Sequence, residues 1–148
     1  MFQFHDPGQL IDDDLRLVLD EITPGDPQLE LVPAYHFTMV VGHQEAGHIN
    51  LRIGDIPRIV LYGGHIGYNV DSAFRGQHYA ARSCRLLLPL ARKHDLKTIW
   101  ITCNPDNLAS CRTCELAGAR FVEIVDLPSE SDMYERGERQ KCRYRLDL

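Results

Sequence analysis

The sequence predicts one α/β (α+β) domain over residues 1–148, with a mixed, mostly antiparallel central sheet of about six to seven strands and helices on both faces. Two observations support this fold class. The 148 residues suit one domain, and 44% of them are apolar, which is enough for one sizeable core. Segments with a hydrophobic period of two also alternate with segments of helical period, as expected when helices pack on a sheet.

The first predicted element is a helix near the start of the chain. Three aspartates at 12–14 precede the apolar run 15–19, and acidic side chains suit the first turn of a helix. The segment 23–27 contains two prolines and a glycine, which end that helix.

Three strands come next. Residues 35–41 and 48–53 alternate between two faces, which is typical of half-buried strands, and residues 42–47 form a hairpin loop between them. Residues 54–62 are less regular and predict either a bulged strand or a long loop. Two glycines then open the third strand, 65–70.

The second half of the chain alternates helices and strands. A helical period begins at about residue 77, and Pro89 within it predicts a bend because proline removes a backbone hydrogen bond. A strand over 97–103 leads to a short helix over 108–117, which Gly118 ends. Two last strands are predicted at 121–125 and 142–146, with a mobile loop over 127–140.

Charge and composition exclude several classes of partner. The net charge is −5 and the isoelectric point is about 5.7, which argues against a general nucleic-acid grip. Arg75, Arg82 and Arg85 could still form one local basic patch. No stretch approaches the roughly 20 apolar residues of a membrane span, and the first residues lack the pattern of a signal peptide. We therefore expect a cytoplasmic protein with no membrane or nucleic-acid partner.

The cysteines and histidines do not predict a metal site. Cys111 and Cys114 have the CxxC spacing, but the pair lies within a helix and has no second pair. The five cysteines are expected to be thiols that mostly pack in the core. His36 and His48 fall on the polar faces of their strands, where solvated histidines are common. The expectation is that the protein binds no metal.

The most informative segment is the strand–turn–helix junction at 70–80. The first amides of a helix carry partial positive charge, and a tight turn that leads into them can form an anion cradle. The alternative is an ordinary strand-to-helix loop. Here the turn contains Arg75, Gly76, Gln77, His78, Tyr79 and Ala80.

This segment resembles the coenzyme A pyrophosphate loop of the GNAT N-acetyltransferase superfamily. That loop reads Arg/Gln, two residues, Gly, one residue, Gly/Ala, and this chain departs from it at His78, where glycine is usual. The segments 47–52, 63–68 and 102–110 resemble the family's third, fourth and fifth strands in the family's order. Glu115 and Gly118 match the end of its next helix. The similarity covers about residues 35–125.

The resemblance implies a site for acetyl-CoA as co-substrate. The backbone of the third predicted strand, at Ile66, Tyr68 and Val70, would bind the pantetheine arm and hold the thioester oxygen. The loop Arg75, Gly76, Gln77, His78, Tyr79 and Ala80 would bind the pyrophosphate, with His78 either crowding the phosphates or hydrogen-bonding to them. Asn107 would contact the coenzyme, cap the next helix, or do both, and Ser110 would pack close to it.

Direct attack of an amine on the thioester requires a base and an acid. Many relatives use a tyrosine as the acid, and Cys114 occupies the matching position in this chain. His65 is the nearest candidate base, with Glu45, His48 and Asp71 as others. Each of these residues also has a plain structural explanation.

The resemblance implies an acetyl-CoA-dependent N-acetyltransferase that acts on a primary amine of a small molecule or protein. Two alternatives stay open, a non-catalytic CoA-binding module and an acyltransferase that uses a larger acyl-CoA such as succinyl-CoA. The acceptor site is expected to include residues 10–33 and 127–140, whose pattern does not identify the acceptor. Dimers are common in the family, so a homodimer is one expectation.

Overall fold

The computed structural model describes residues 2–148, which form two antiparallel sheets and three α-helices. A five-stranded sheet, in the order β1-β2-β3-β4-β5, is followed by a three-stranded sheet in the order β6-β8-β7. The strands are β1 (Leu10–Asp12), β2 (Leu15–Thr23), β3 (Ala34–Val41), β4 (Gln44–Arg52), β5 (Ile66–Val70), β6 (Thr98–Cys103), β7 (Arg120–Asp126) and β8 (Gln140–Asp147). The helices are α1 (Tyr79–Lys93), α2 (Leu108–Leu116) and α3 (Asp132–Glu135). This architecture confirms the predicted fold class.

The core lies between α1 and one face of the five-stranded sheet. Tyr35, Phe37 and Met39 point inward from β3, and Leu87 and Leu90 meet them from α1. All five side chains are almost completely buried, so each removes apolar surface from water. The opposite face of this sheet carries the polar residues of β2 to β5, and alternation along each strand separates the two faces.

Hydrogen bonds at His65 join the two sheets. The backbone N–H of His65 donates to the carbonyl of Trp100 (2.7 Å), and the N–H of Trp100 donates to His65 Nδ1 (2.9 Å). Beyond this contact β5 and β6 belong to separate sheets. A cleft therefore opens between the two strands.

Gly64, the residue before His65, has no room for a side chain. Its φ is +76°, and a Cβ there would lie 2.9 Å from the carbonyl oxygen of Trp100. The approach of the two backbones thus requires glycine at position 64.

The predicted first helix is wrong, because residues 15–23 form strand β2. Leu15 and Leu17 are buried while Arg16 and Val18 are exposed, a period of two that places the leucines against α1. Asp12 ends β1, and Asp13 and Asp14 form the turn to β2, in which Asp13 adopts a positive φ of 54°. Tertiary packing therefore determines the strand in this segment.

The other predicted elements are confirmed to within a few residues. The irregular stretch 54–62 is neither a bulged strand nor only a loop, since Arg58–Gly63 forms a short π-helix. The segment 127–140 includes the short helix α3. No helix among residues 2–148 is long and apolar enough to cross a membrane.

Candidate active site

A cleft of about 220 Å³ lies between β5 and β6, at the place where the two sheets separate. We call it the donor cleft. Ile66, Gly67 and Tyr68 line it from β5, and Asn107 and Ser110 line it from the start of α2. Four sequence-predicted residues, Ile66, Tyr68, Asn107 and Ser110, are therefore brought together around one opening.

A second, larger cleft of about 530 Å³ covers the polar face of the five-stranded sheet. We call it the acceptor cleft. The side chains that line it include Asp20, Glu21, His36, His48, Asn50 and Asn69. The two clefts share Arg52, Gly67 and Tyr68, so they meet at the middle of β5.

The start of α1 presents unbonded amides. The N–H groups of residues 76–81 donate no hydrogen bond within the described chain, and the first that does so is Arg82, to the carbonyl of His78 (3.0 Å). Residues 75–78 are exposed. A helix N-terminus of this kind attracts anions because its free donors and its dipole act together.

His78 occupies the left-handed conformation, with φ 64° and ψ 23°. Gly76, two residues earlier, also has a positive φ, of 88°. At the position of the motif that His78 occupies, glycine is the usual residue, because glycine reaches this conformation without steric cost. His78 adopts this conformation although it has a Cβ, and it places an exposed imidazole beside the unbonded amides.

Four contacts hold this loop and helix in place. Arg75 Nε donates to the carbonyl of Val70 (3.0 Å), and Tyr79 Oη donates to Asp14 (2.7 Å). Arg82 forms ion pairs with Asp12 and Asp14, both at 2.8 Å. The hydrogen bond from Tyr79, followed by that from Arg82, lowers the pKa of Asp14.

These contacts correct the suggested basic patch. Arg82 is neutralised by the aspartates of the β1–β2 turn, and Arg85 donates to the carbonyl of Leu116. Of the three arginines, only Arg75 keeps its terminal nitrogens without a hydrogen bond within residues 2–148.

Tyr68 and Ser110 form a hydroxyl pair in the donor cleft. Tyr68 Oη donates to Ser110 Oγ (3.1 Å), and burial raises the pKa of the Tyr68 phenol, which stays neutral. Asn107 Oδ1 accepts from the backbone N–H of Ser110 (3.1 Å), which confirms its role as the cap of α2. Contact of Asn107 with a coenzyme stays a prediction.

His65 does not fit the predicted role of general base. The side chain is completely buried, and its Nδ1 already accepts from Trp100. Its Nε2 therefore carries the hydrogen and donates to Asp55 (2.8 Å), so neither ring nitrogen can accept a proton from an amine. Burial also lowers the pKa of His65. Its function in the structure is to join the two sheets.

Cys114 does not fit the predicted role of general acid. It is completely buried on the inner side of α2 and lines neither cleft. Among the other base candidates, His48 lines the acceptor cleft, whereas Glu45 and Asp71 line neither cleft.

The structure also brings together three thiols that the sequence pattern did not relate. The sulfur atoms of Cys103, Cys111 and Cys142 lie within 4.8 Å of one another, and the distance between the first two is 3.5 Å. Burial raises the pKa of Cys142 to about 11 and raises that of Cys111. The thiols are therefore protonated groups that pack together. The CxxC spacing alone could not reveal them, because they come from β6, α2 and β8.

Comparison with known proteins places this geometry in a family. A family model described as an acetyltransferase (GNAT) domain matches residues 11–120. None of the curated proteins compared with the chain matches it.

Several solved structures have a similar fold. RimL, a ribosomal L7/L12 alpha-N-protein acetyltransferase in complex with coenzyme A, is 21% identical with a TM-score of 0.61, and the match covers 78% of this chain and 62% of RimL. The microcin C7 self-immunity acetyltransferase MccE, in complex with acetyl-CoA and AMP, is 18% identical with a TM-score of 0.63, covering 83% of this chain and 64% of MccE.

A third similar structure comes from Salmonella typhimurium. It is an acetyltransferase that modifies the N-terminal serine of 50S ribosomal subunit protein L7/L12. It is 21% identical to this chain with a TM-score of 0.60, and the match covers 82% of this chain and 66% of that protein. The chain therefore spans less than two thirds of the length of RimL and MccE. The family match covers most of the sequence, and the fold agrees with it: the chain belongs to the GNAT acetyltransferase family.

Proposed function

We propose that this protein is an N-acetyltransferase that moves the acetyl group of acetyl-CoA to a primary amine. The observation that supports it best is the meeting of two clefts at Tyr68 of β5, the strand that leads through the turn at 71–78 to a helix start with unbonded amides. A donor that enters from the α1 side and an acceptor that enters from the open sheet face would meet at β5.

The donor would bind along β5 and α1. The pyrophosphate would lie on the amides of Gly76, Gln77, His78, Tyr79 and Ala80, with the guanidinium of Arg75 nearby. The pantetheine arm would run between β5 and β6, past Ile66 and Val70, and the thioester would reach the hydroxyl pair of Tyr68 and Ser110.

The acceptor cleft supplies groups that suit an amine. A neutral amine would attack the thioester carbon, an oxyanion would form, and the C–S bond would break as coenzyme A leaves as its thiol. His36, His48 and Glu21 line the acceptor cleft and can accept the proton that the ammonium must lose. The Ser110 hydroxyl, which accepts from Tyr68, can donate a hydrogen bond to the departing sulfur, and the proton taken from the ammonium ends on the thiol of coenzyme A.

The pyrophosphate placement is tested by Arg75→Glu, with Arg92→Glu at the far end of α1 as the matched control. Loss of one charge-assisted contact should weaken coenzyme A binding by about tenfold to a hundredfold. Calorimetry on both variants measures this change. An unchanged dissociation constant for Arg75→Glu would refute the placement.

Turnover is tested by mixing the protein with acetyl-CoA and a panel of primary amines. Release of free thiol that depends on the amine supports the enzyme. Binding of acetyl-CoA without turnover across the panel supports the non-catalytic module, which the absence of a tyrosine at Cys114 favours. A homodimer and a location in the cytoplasm stay predictions.

A further inference from the structure

Arg52 carries a positive charge at the place where the two clefts meet. It is half-buried and lines both clefts. Its Nη1 donates to the carbonyls of Gly63 (3.0 Å) and Gly64 (2.9 Å). Within residues 2–148 it forms no ion pair with any carboxylate, whereas the half-buried Arg82 forms two and the buried Arg143 forms one.

A guanidinium in this position is costly without a partner. Removing a charge from water is unfavourable unless an opposite charge replaces the lost hydration. Burial, together with the nearby charge of Arg58, lowers the pKa of Arg52, yet an arginine side chain stays charged in a protein. Two carbonyl oxygens compensate only part of a full charge.

Nη2 of Arg52 lies beside Gly67, where the two clefts meet. A Cβ at position 67 would lie 2.7 Å from Arg52 Nη2 and 3.1 Å from Asn50 Oδ1, so any side chain there would obstruct the guanidinium. Arg52 Nη2 and Nε donate no hydrogen bond within the described chain. Asn50 Oδ1 accepts from the N–H of Gly67 (3.1 Å), which leaves the amide nitrogen of Asn50 as a further donor.

We propose that Arg52, assisted by Asn50, binds a carboxylate carried by one of the two substrates. The inference rests on the proposed acyltransferase function. The guanidinium fork matches the two oxygens of a carboxylate, and its single charge matches that of the carboxylate. No other described residue that lines both clefts is charged.

The carboxylate has two sources with the same chemistry. It can belong to the acyl group of a dicarboxylic acyl-CoA, such as succinyl-CoA, that reaches the end of the donor cleft. It can instead belong to the acceptor, as in an amino acid, whose ammonium group would lie closer to Asp20 and Glu21 of the same cleft.

The experiment compares Arg52→Met with wild-type protein in two arms. The donor arm measures kcat/KM and calorimetric affinity for succinyl-CoA against acetyl-CoA. The acceptor arm measures kcat/KM for amino acids against the corresponding amides, which lack the carboxylate. Arg58→Met is the matched control, since it removes a neighbouring positive charge that lines neither cleft.

Wild-type protein should prefer the carboxylated compound in one arm. Arg52→Met should lower kcat/KM for that compound by about tenfold to a hundredfold and lower it much less for the counterpart that lacks the carboxylate. Arg52→Lys, which keeps the charge but not the fork, should fall between the two. This variant keeps the test informative if Arg52→Met does not fold. The arm that shows the effect identifies the source.

Two results would overturn the inference. The first is turnover without preference for a carboxylated compound in either arm. The second is an equal loss for compounds with and without the carboxylate, which would show that Arg52 only holds Gly63 and Gly64. If no amine is acylated, the proposed function fails. The affinities measured by calorimetry then test the carboxylate site at Arg52 on their own. Affinity for succinyl-CoA or an amino acid that Arg52→Met abolishes supports the site, and its absence in wild-type protein rejects it.

Discussion

Replacing His78 by glycine should stabilise the protein, and replacing Gly76 by alanine should destabilise it. Both residues lie in the turn before α1 and have positive φ, 64° for His78 and 88° for Gly76. The left-handed conformation strains any residue that has a Cβ, so the two substitutions change the same backbone strain in opposite directions.

The magnitude follows from two terms of opposite sign. The left-handed conformation costs a residue other than glycine about 1–2 kcal/mol. Glycine in turn costs about 0.4–1 kcal/mol more conformational entropy on folding than alanine does, because an unfolded chain with glycine is more flexible. The net change is about 0.5–1 kcal/mol for each substitution. For Gly76→Ala no steric clash adds to it, because a Cβ at this position meets nothing within 4 Å.

Thermal unfolding of the two variants measures this effect. At this chain length, about 1 kcal/mol shifts the melting temperature by about 2–4 °C. His78→Ala is the matched control, because alanine removes the imidazole but keeps the strain, so its melting temperature should stay near that of wild type. A His78→Gly variant that is less stable than His78→Ala would refute the reasoning.

The same variants show what the imidazole does to coenzyme A binding. If His78 crowds the phosphates, both His78→Ala and His78→Gly should bind coenzyme A more tightly than wild type does. If His78 hydrogen-bonds to the phosphates, both should bind it more weakly. A change in the glycine variant alone would instead assign the effect to the backbone of the loop.

Three further predictions concern the junction of the sheets and the thiols. Burial lowers the pKa of His65, so at acidic pH the unfolded chain binds a proton that the folded chain does not. The free energy of unfolding should therefore fall as pH drops below about 6.5. Denaturant unfolding of His65→Gln should show a weaker dependence of this free energy on pH. Gly64→Ala should lower the free energy of unfolding by about 2–4 kcal/mol, since its Cβ would clash with the carbonyl of Trp100 at a positive φ. Within the thiol cluster of the native protein, iodoacetamide should modify Cys111 first, as mass spectrometry can show, because Cys103 and Cys142 are more deeply buried.

Local periodicity was sufficient to predict most of the elements. The alternation in β3 and β4 and the helical period of α1 each bury one face, so the pattern in the sequence reflects the packing directly. It failed in β2, where Leu15, Leu17 and Leu19 alternate but the preceding aspartates imitate a helix start. Two of those aspartates, Asp12 and Asp14, instead bind Arg82, about 70 residues later in the chain.

The site residues also form two groups, those that a continuous sequence motif predicts and those that depend on partners elsewhere in the chain. The loop at 75–80 is a continuous motif, and its unbonded amides are where the sequence predicted them. The functions of His65 and Arg52 depend on partners that the sequence does not place beside them. His65 contacts Trp100 across 35 positions, and Arg52 contacts Gly63 across 11. No local pattern could show that His65 joins two sheets or that Arg52 has no carboxylate partner within residues 2–148.

The segment that ends the π-helix links these features. The carbonyls of Gly63 and Gly64 hold Arg52, and the next residue, His65, holds the two sheets together. A shift of this segment would therefore change both the width of the donor cleft and the direction of the guanidinium. The width of the donor cleft and the direction of the guanidinium are thus set by three consecutive residues, so variants at Gly64 and Arg52 should be non-additive in kcat/KM.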